Sequence, residues 1–195
     1  MKTDAYKFLS REFDLTVWST VRPNPRFEDM LYKSAGCDYI IGAGGGSVLD
    51  SAKMIKLLIT NNPKTALTQP MEDNDIGFFA IPTTSGTGSE ATRYSIFYVN
   101  DVEKHSITHS GFLPDLVLLD ESFLTTVPPY QRRCTAMDAL CHAIESYWNV
   151  KSNAESKEYA ARAIKLFVQN KLGYIVNEPQ ANRGMLLASY YAGKA

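Results

Sequence analysis

The apolar residues of this chain change their spacing along its length, and the change divides it in two. As far as residue 127, short apolar runs bounded by Gly, Pro, Asn and Asp predict strands mixed with helices. Thr3–Phe13 has helical spacing, and Leu15–Val21 (LTVWSTV) reads as an apolar strand. Pro23-Asn24-Pro25 interrupts regular structure and opens a short helix near Phe27–Ser34, closed by Gly36. Asp38 leads into a buried strand at Tyr39–Ile41. Val48, Ala52, Ile55 and Ile59 then repeat at helical spacing until Asn61-Asn62-Pro63, followed by a polar loop over Thr65–Asp75. Gly77–Ile81 (GFFAI) is a second buried strand. Thr92–Val99 and Lys104–His109 flank Asn100-Asp101 as a hairpin, and Leu116–Leu119 is a short strand ended by Asp120.

Beyond Pro128-Pro129 only helical spacing remains, over Tyr130–Trp148, Ala154–Asn170 and Pro179–Ala192. In the second of these, Tyr159/Ala160, Ala163/Ile164 and Phe167/Val168 make one apolar face. The expected architecture is therefore α/β: a Rossmann-like dinucleotide-binding layer over residues 1–127, then the start of an all-helical domain over 128–195. Both ends look cut. Met185–Ala192 (MLLASYYA) is apolar on nearly every side, so its cover is expected from protein outside this chain. On that reading the isolated chain is inactive, and poorly soluble or associated.

Composition narrows the class without naming a chemistry. With 45% hydrophobic and 21% charged residues the chain can bury a core and is not disordered. A net charge of −1 provides no general field for nucleic acid or an anionic membrane, and the basic residues are scattered without aromatic interleaving. No apolar run approaches membrane-spanning length, and the opening MKTDAYKFLSREF lacks a signal core. Cys37, Cys134 and Cys141 form no CxxC pair, which makes a reducing cytoplasm the simplest home.

Candidate chemistry collects where strands meet turns. In Tyr39–Ile59 a buried strand runs into Gly42, Gly44, Gly45 and Gly46 and then a helix, with Ser47 as N-cap and Asp50 imitating a capping box. A helix N-terminus with glycines lets a phosphate approach unpaired N–H groups. The stretch departs from GxGxxG, because Ser47 stands at the third glycine, and no P-loop lysine follows. A merely tight strand-to-helix turn fits as well. The hydroxyl- and glycine-rich loop Pro82–Glu90 follows the next strand, again at the carboxyl end of a sheet where open α/β sheets bind ligands.

Asp138 and His142 lie four apart and share a helix face, a spacing that can hold two positions of a divalent metal. They interrupt an apolar face of Met137, Leu140, Ala143 and Ile144, which would make a dry site. Spacing alone favours a surface Asp–His pair or a satisfied core histidine. Cys141 is expected to pack as a small hydrophobe. His105 and His109 alternate on a strand and could meet an anion, though half-exposed strand histidines are commoner. Lys104, Thr83, Thr84 and Thr92 could contact a nucleotide, or be a solvated lysine and ordinary strand threonines.

Taken together, GGGSVLDSAK (Gly44–Lys53), IPTTSGTGSEAT (Ile81–Thr92), the Lys104-x-x-Ile107 step and DALCHAIE (Asp138–Glu145) resemble the iron-containing (group III) alcohol dehydrogenases. PNPRFED (Pro23–Asp29) is similar to that family as well. The resemblance implies a dehydroquinate synthase-like architecture, truncated at both ends, with a metal in the cleft between the two domains. Carried over by position, it assigns Gly45, Gly46 and Ser47 to the pyrophosphate. It gives Thr83, Thr84, Thr92, Tyr94, Lys104 and Leu124 to the rest of an NAD or NADP site. Asp138 and His142 become the first two ligands of a divalent metal, iron ahead of zinc. The implied reaction is hydride transfer between the nicotinamide and a small aldehyde or primary alcohol, by a homo-oligomer when complete, with no nucleic-acid or membrane partner. KHSITHSGFLPD and DALCHAIESYWNVKS are also similar to a subgroup that includes phosphonoacetaldehyde reductases, which would direct Arg93, His105 and His109 at a phosphonate.

The family's two further histidine ligands would fall after Ala195, and its first strand before Met1. This chain's three histidines cannot complete the site in the family's way. The alternative is an inactive or incomplete fragment that at most binds nucleotide. A phosphate-eliminating or glycerol-phosphate enzyme of similar architecture is a third reading, against which DALCHAIE and PTTSGTGSE argue.

Overall fold

The computed structural model describes residues 4–31 and 36–195. In chain order the elements are α1 (Asp4–Glu12), α2 (Phe27–Leu31), β1 (Tyr39–Gly44), α3 (Gly46–Leu58), β2 (Gly77–Pro82), β3 (Tyr94–Val99), β4 (Glu103–Thr108), β5 (Leu116–Val117), α4 (Pro129–Trp148), α5 (Ala154–Ile175) and α6 (Pro179–Lys194). Short 3-10 turns lie at Ser89–Ala91, Ser110–Phe112 and Glu121–Leu124. Ser34 and the end of the helix expected at Phe27–Ser34 lie outside the described residues.

Strands β1, β2 and β5 form a parallel sheet in that order, with Tyr39 opposite Gly77 and Phe79 opposite Leu116. The parallel pairing puts the loops after β1 and β2 at the same edge of the sheet. The crossover through α3 is what lets two successive strands pair in parallel. On one face Ile40, Phe78 and Ala80 pack against Leu49 and Ala52 of α3. The other face leaves Tyr39, Ile41, Leu116 and Leu118 exposed.

The one apolar face expected of α3 understates its burial. Residues 51 to 58 are all buried, Lys53 and Lys56 included. The reason is that α3 has protein on two sides. Its second side meets the antiparallel hairpin β3–β4, α2 and the Ser110–Phe112 turn, through Met54, Leu57, Phe97 and Phe112. Asn100 and Asp101 turn the hairpin with positive φ, which these two residue types tolerate.

Leu15–Val21, expected as a strand, forms none. Its apolar residues join no ladder: Val17 is exposed, and Trp18 packs against the edge of the α3 core.

The helical part begins at Pro129, the first residue of α4, where proline's missing N–H costs nothing. A reciprocal Asn153–Ser156 capping box starts α5. Helix α5 is closed off by Asn177, two residues past its end, whose positive φ lets Glu178 N–H bond back to Gly173 O. Met185, Leu186, Ala188, Ser189 and Ala192 of α6 are all buried. Their cover comes from α4, α5 and the two turns at 89–91 and 121–124. The expectation that this helix needs cover from outside the chain is therefore wrong. Its small residues let neighbouring backbone close in: a Cβ on Gly88 would stand 2.6 Å from Ser189 O. Among the described residues no helix is long and apolar enough to cross a membrane.

Candidate functional site

The glycine turn and the Pro82–Glu90 loop touch. Gly45 is the N-cap of α3, Thr83 N–H bonds to Gly44 O at 3.0 Å, and a Cβ on Gly45 would lie 3.3 Å from Thr84. On Gly46 the same atom would come within 2.8 Å of the Thr87 methyl. Gly45 has φ −77°, so the requirement here is space and not a left-handed backbone. Ser47 is not the N-cap: it is the second residue of α3, and no side chain caps this end. Asp50 likewise does not close a capping box. It accepts from Ser89 Oγ at 2.7 Å and Ile96 N–H at 3.2 Å. A helix start left without a side-chain acceptor keeps its N–H groups for something else.

Two clefts flank this contact. The larger, about 460 Å³, is lined by Thr83, Thr84, Ser122, Phe123, Thr126, Val127, Pro128 and Gln131. The smaller, about 160 Å³, is lined by Gly46, Ser47 and Asp50 of α3, Ile96, Tyr98 and Lys104 of the hairpin, and Asn24, Pro25 and Thr87. Of the nucleotide residues expected from sequence, Gly46, Ser47, Thr83, Thr84 and Lys104 line these clefts. Three do not. Thr92 Oγ1 is occupied by Lys53 Nζ at 3.1 Å, and the Tyr94 side chain is half exposed. Leu124 is fully buried in the helical core.

Asp138 and His142 do share a face of α4, Oδ1 to Nε2 at 3.5 Å. Gln131, which lines the larger cleft, is on that face too: steps of 7 and 11 residues return to within about 20° of the same direction, roughly 10 and 16 Å along the axis. The face is not dry, however. Asp138 and His142 side chains are 42% and 41% exposed and Met137 is half exposed. Cys141, expected to pack inside, is exposed as well. The residues that bury this helix are instead Arg132, Thr135, Ala136, Ala139 and Ala143. Among the described residues no group of three or more His, Cys, Asp or Glu converges to hold a metal. Asp138 and His142 fit a divalent cation in donor type and separation, as two of its ligands.

Arg93, His105 and His109 do not line either cleft. The His105 ring stacks on Phe97 at 5.9 Å and lies 3.5 Å from Glu103. His109 caps the Ser110–Phe112 turn by accepting from Gly111 N–H at 3.0 Å, and its Nε2 lies 3.0 Å from Met71 O. Both rings are held by the protein's own groups.

Sequence reasoning missed the charges behind the smaller cleft. Lys53 is fully buried and donates to Ser89 Oγ, Thr92 Oγ1 and Tyr94 O at 2.9, 3.1 and 2.7 Å. Burial lowers its pKa to about 8, against the support of Asp50 and Glu90. Burial also raises Glu90, to about 7, with Lys53 opposing. Lysine at a helix position with apolar neighbours reads as a solvated residue, so only the double cover of α3 reveals it.

Comparison with known proteins fits this geometry. Residues 3–121 match the iron-containing alcohol dehydrogenase family, and residues 133–195 match the C-terminal part of the Fe-containing alcohol dehydrogenase family. The chain is 34% identical to a probable alcohol dehydrogenase, EutG, of Escherichia coli K12, over 93% of this chain and 49% of that protein. It is 33% identical to long-chain-alcohol dehydrogenase 1 of Geobacillus thermodenitrificans, over 94% and 49%. Among solved structures, sulfoacetaldehyde reductase from Bifidobacterium kashiwanohense in complex with NAD+ superposes with a TM-score of 0.85 at 28% identity, covering 92% of this chain and 51% of that one. An iron-containing alcohol dehydrogenase from Thermotoga maritima gives 0.86 at 28%, covering 98% and 55%. The chain thus spans about half the length of the curated relatives it matches. With both the α/β layer and the helical part matched in order, the chain belongs to the iron-containing alcohol dehydrogenase family.

Proposed function

We propose that this protein is the nucleotide-binding and partial metal-binding portion of an NAD(P)-dependent oxidoreductase acting on a small aldehyde or primary alcohol. The observation that carries the reading is the contact of Gly45 and Gly46 with Thr84 and Thr87, with one cleft on each side. A dinucleotide is two ligands joined by a pyrophosphate, and this layout offers a place for each part. The uncapped N-terminus of α3 would receive the pyrophosphate. The Lys104 cleft would take one nucleoside, with the ammonium near its phosphate or ribose. The Thr83–Gln131 cleft would take the other and aim it along α4 toward Asp138 and His142.

When bound, the nicotinamide supplies or accepts the hydride. Asp138 and His142 would hold a divalent metal, iron ahead of zinc, whose contribution is to polarise the substrate oxygen. What the chain's own residues do is bind and orient. Thr83 and Thr84 offer hydroxyls to the cofactor, and Phe123 and Val127 exclude water from the larger cleft. A homo-oligomer and a cytoplasmic location remain part of this proposal.

The test is NADH and NADPH binding to the purified chain by fluorescence, followed by nucleotide oxidation with short aldehydes in the presence of Fe²⁺ or Zn²⁺. Saturable binding is expected. Binding without turnover would favour the incomplete-fragment reading, in keeping with only two metal donors on α4. No binding of either nucleotide would overturn the proposal.

A further inference from the structure

The buried charges beneath the smaller cleft have no part in the binding just described, yet they join its two walls. Lys53 uses all three ammonium hydrogens, on Ser89 Oγ, Thr92 Oγ1 and Tyr94 O. Ser89 Oγ passes its own hydrogen to Asp50 Oδ1 at 2.7 Å, and Asp50 lies 3.9 Å from Lys53. Asp50 also receives Ile96 N–H from β3, and Ser95 Oγ donates to its backbone carbonyl at 2.9 Å. The same Asp50 side chain lines the cleft. Close by, Glu90 is buried with its Oε1 unpartnered.

We propose that Lys53 is a positioning residue of the nucleotide cleft, clamping the Ser89–Tyr94 segment onto α3 so that Asp50, Thr87 and the Lys104-bearing hairpin keep their places around it. This rests on the nucleotide reading above. The clamp acts at a distance from any ligand, since Lys53 has no exposed surface. Its three acceptors come from the 3-10 turn, the residue that ends it and the first residue of β3. Losing the ammonium therefore frees the strand that carries Ile96 and Tyr98 as well as the loop that carries Thr87.

The clamp is sensitive to protonation. The ionisable groups facing Lys53 are Asp50 on its own helix and Glu90 on the turn; β3 presents only the Tyr94 carbonyl. A neutral amine has two hydrogens for three acceptors, so the clamp loosens as pH rises through about 8. Glu90 holds the ammonium on, and a neutral replacement there lets it deprotonate sooner.

The experiment measures the NADH dissociation constant by fluorescence across the neutral to alkaline range, for the wild type, Lys53→Met and Glu90→Gln. Wild-type affinity should weaken as pH rises through about 8. The Glu90→Gln variant should show the same limb at lower pH. Lys53→Met should bind about tenfold more weakly at neutral pH, with no limb. An unmoved limb in Glu90→Gln, or wild-type affinity in Lys53→Met, would overturn the proposal; if Lys53→Met does not fold, Glu90→Gln decides. If the wild type binds no NADH at any pH, the nucleotide reading fails. The clamp is then judged by amide hydrogen exchange at residues 46–48 and 89–96. Exchange there must accelerate beyond its intrinsic pH dependence on the same limb, and its failure to do so overturns the clamp.

Discussion

Arg132 donates to the side-chain oxygen of Asn182, fifty residues away, at 2.8 Å in the interior of the helical part. Among the described residues no carboxylate pairs with it. Its other hydrogens go to Val127 O, Tyr174 O, Leu124 O and Asn177 Oδ1, so one guanidinium ties the start of α4 to the end of α5 and the start of α6. The Tyr174 ring beneath it, 4.9 Å away, carries a hydroxyl that accepts from Ser85 Oγ at 2.7 Å. Through that contact the helical part holds the loop of the candidate site.

Replacing Arg132 with methionine should cost about 3 kcal/mol or more, because several buried carbonyls lose their donor together. Lysine should rescue little, since a point donor cannot serve five acceptors spread around a planar fork. Chemical denaturation of the two variants against wild type checks both statements. Equal stability of Lys and Arg at this position would contradict the account.

Gly46→Ala should separate packing from binding. The new methyl meets the Thr87 methyl at 2.8 Å, so the loop must give way. Adding Thr87→Ala removes that neighbour and should restore most of the lost stability. It should not restore NADH affinity, because the methyl still blocks anion approach to the helix start. Thermal melts and binding titrations on the single and double variants decide. Full recovery of affinity in the double variant would show that Gly46 serves packing alone.

The buried pair also shapes stability against pH. Burial raises Glu90 from 4.5 to about 7, so the folded state prefers its neutral form. Stability is then fully present below the unfolded value and declines as pH rises toward about 7. Burial lowers Lys53 from 10.5 to about 8, so stability recovers as pH rises from about 8 toward the unfolded value. Glu90→Gln should abolish the first limb and stabilise the protein above neutrality, by less than the Glu90 shift alone would give because Lys53 loses a supporting charge. Denaturation midpoints measured across this range test the shape; a profile unchanged by the substitution would count against it.

Titration with Zn²⁺ or Fe²⁺ should reveal weak binding to the chain, dependent on Asp138 and His142 together. Each lost donor should weaken it by more than the about 10–100-fold that outer-shell changes typically cost. Calorimetry on His142→Ala and Asp138→Asn supplies the check. Metal affinity unaltered by His142→Ala would remove this pair from consideration as ligands.

The order of elements was legible in the chain because each depends on local pattern. The strand–glycine–helix unit at Tyr39–Leu58, the hairpin around Asn100-Asp101 and the three closing helices follow from spacing, turn residues and capping. So did the pairing of Asp138 with His142, which four residues of helix dictate. What the sequence could not determine depends on a second surface. Leu15–Val21 has strand composition but no ladder to join, so it stays irregular. Ser47 has the right chemistry for a cap but sits one step inside the helix, and Asp50 turns instead to Ser89 and Ile96. Met185–Ala192 looked uncovered only because its cover, α4, α5 and the turns at 89–91 and 121–124, is distant in sequence. Lys53 and Glu90 carry the same lesson. A charged side chain announces solvent in a one-dimensional pattern, and only tertiary packing, of the hairpin and the 89–91 turn over α3 and of α6 over that turn, takes these two out of water.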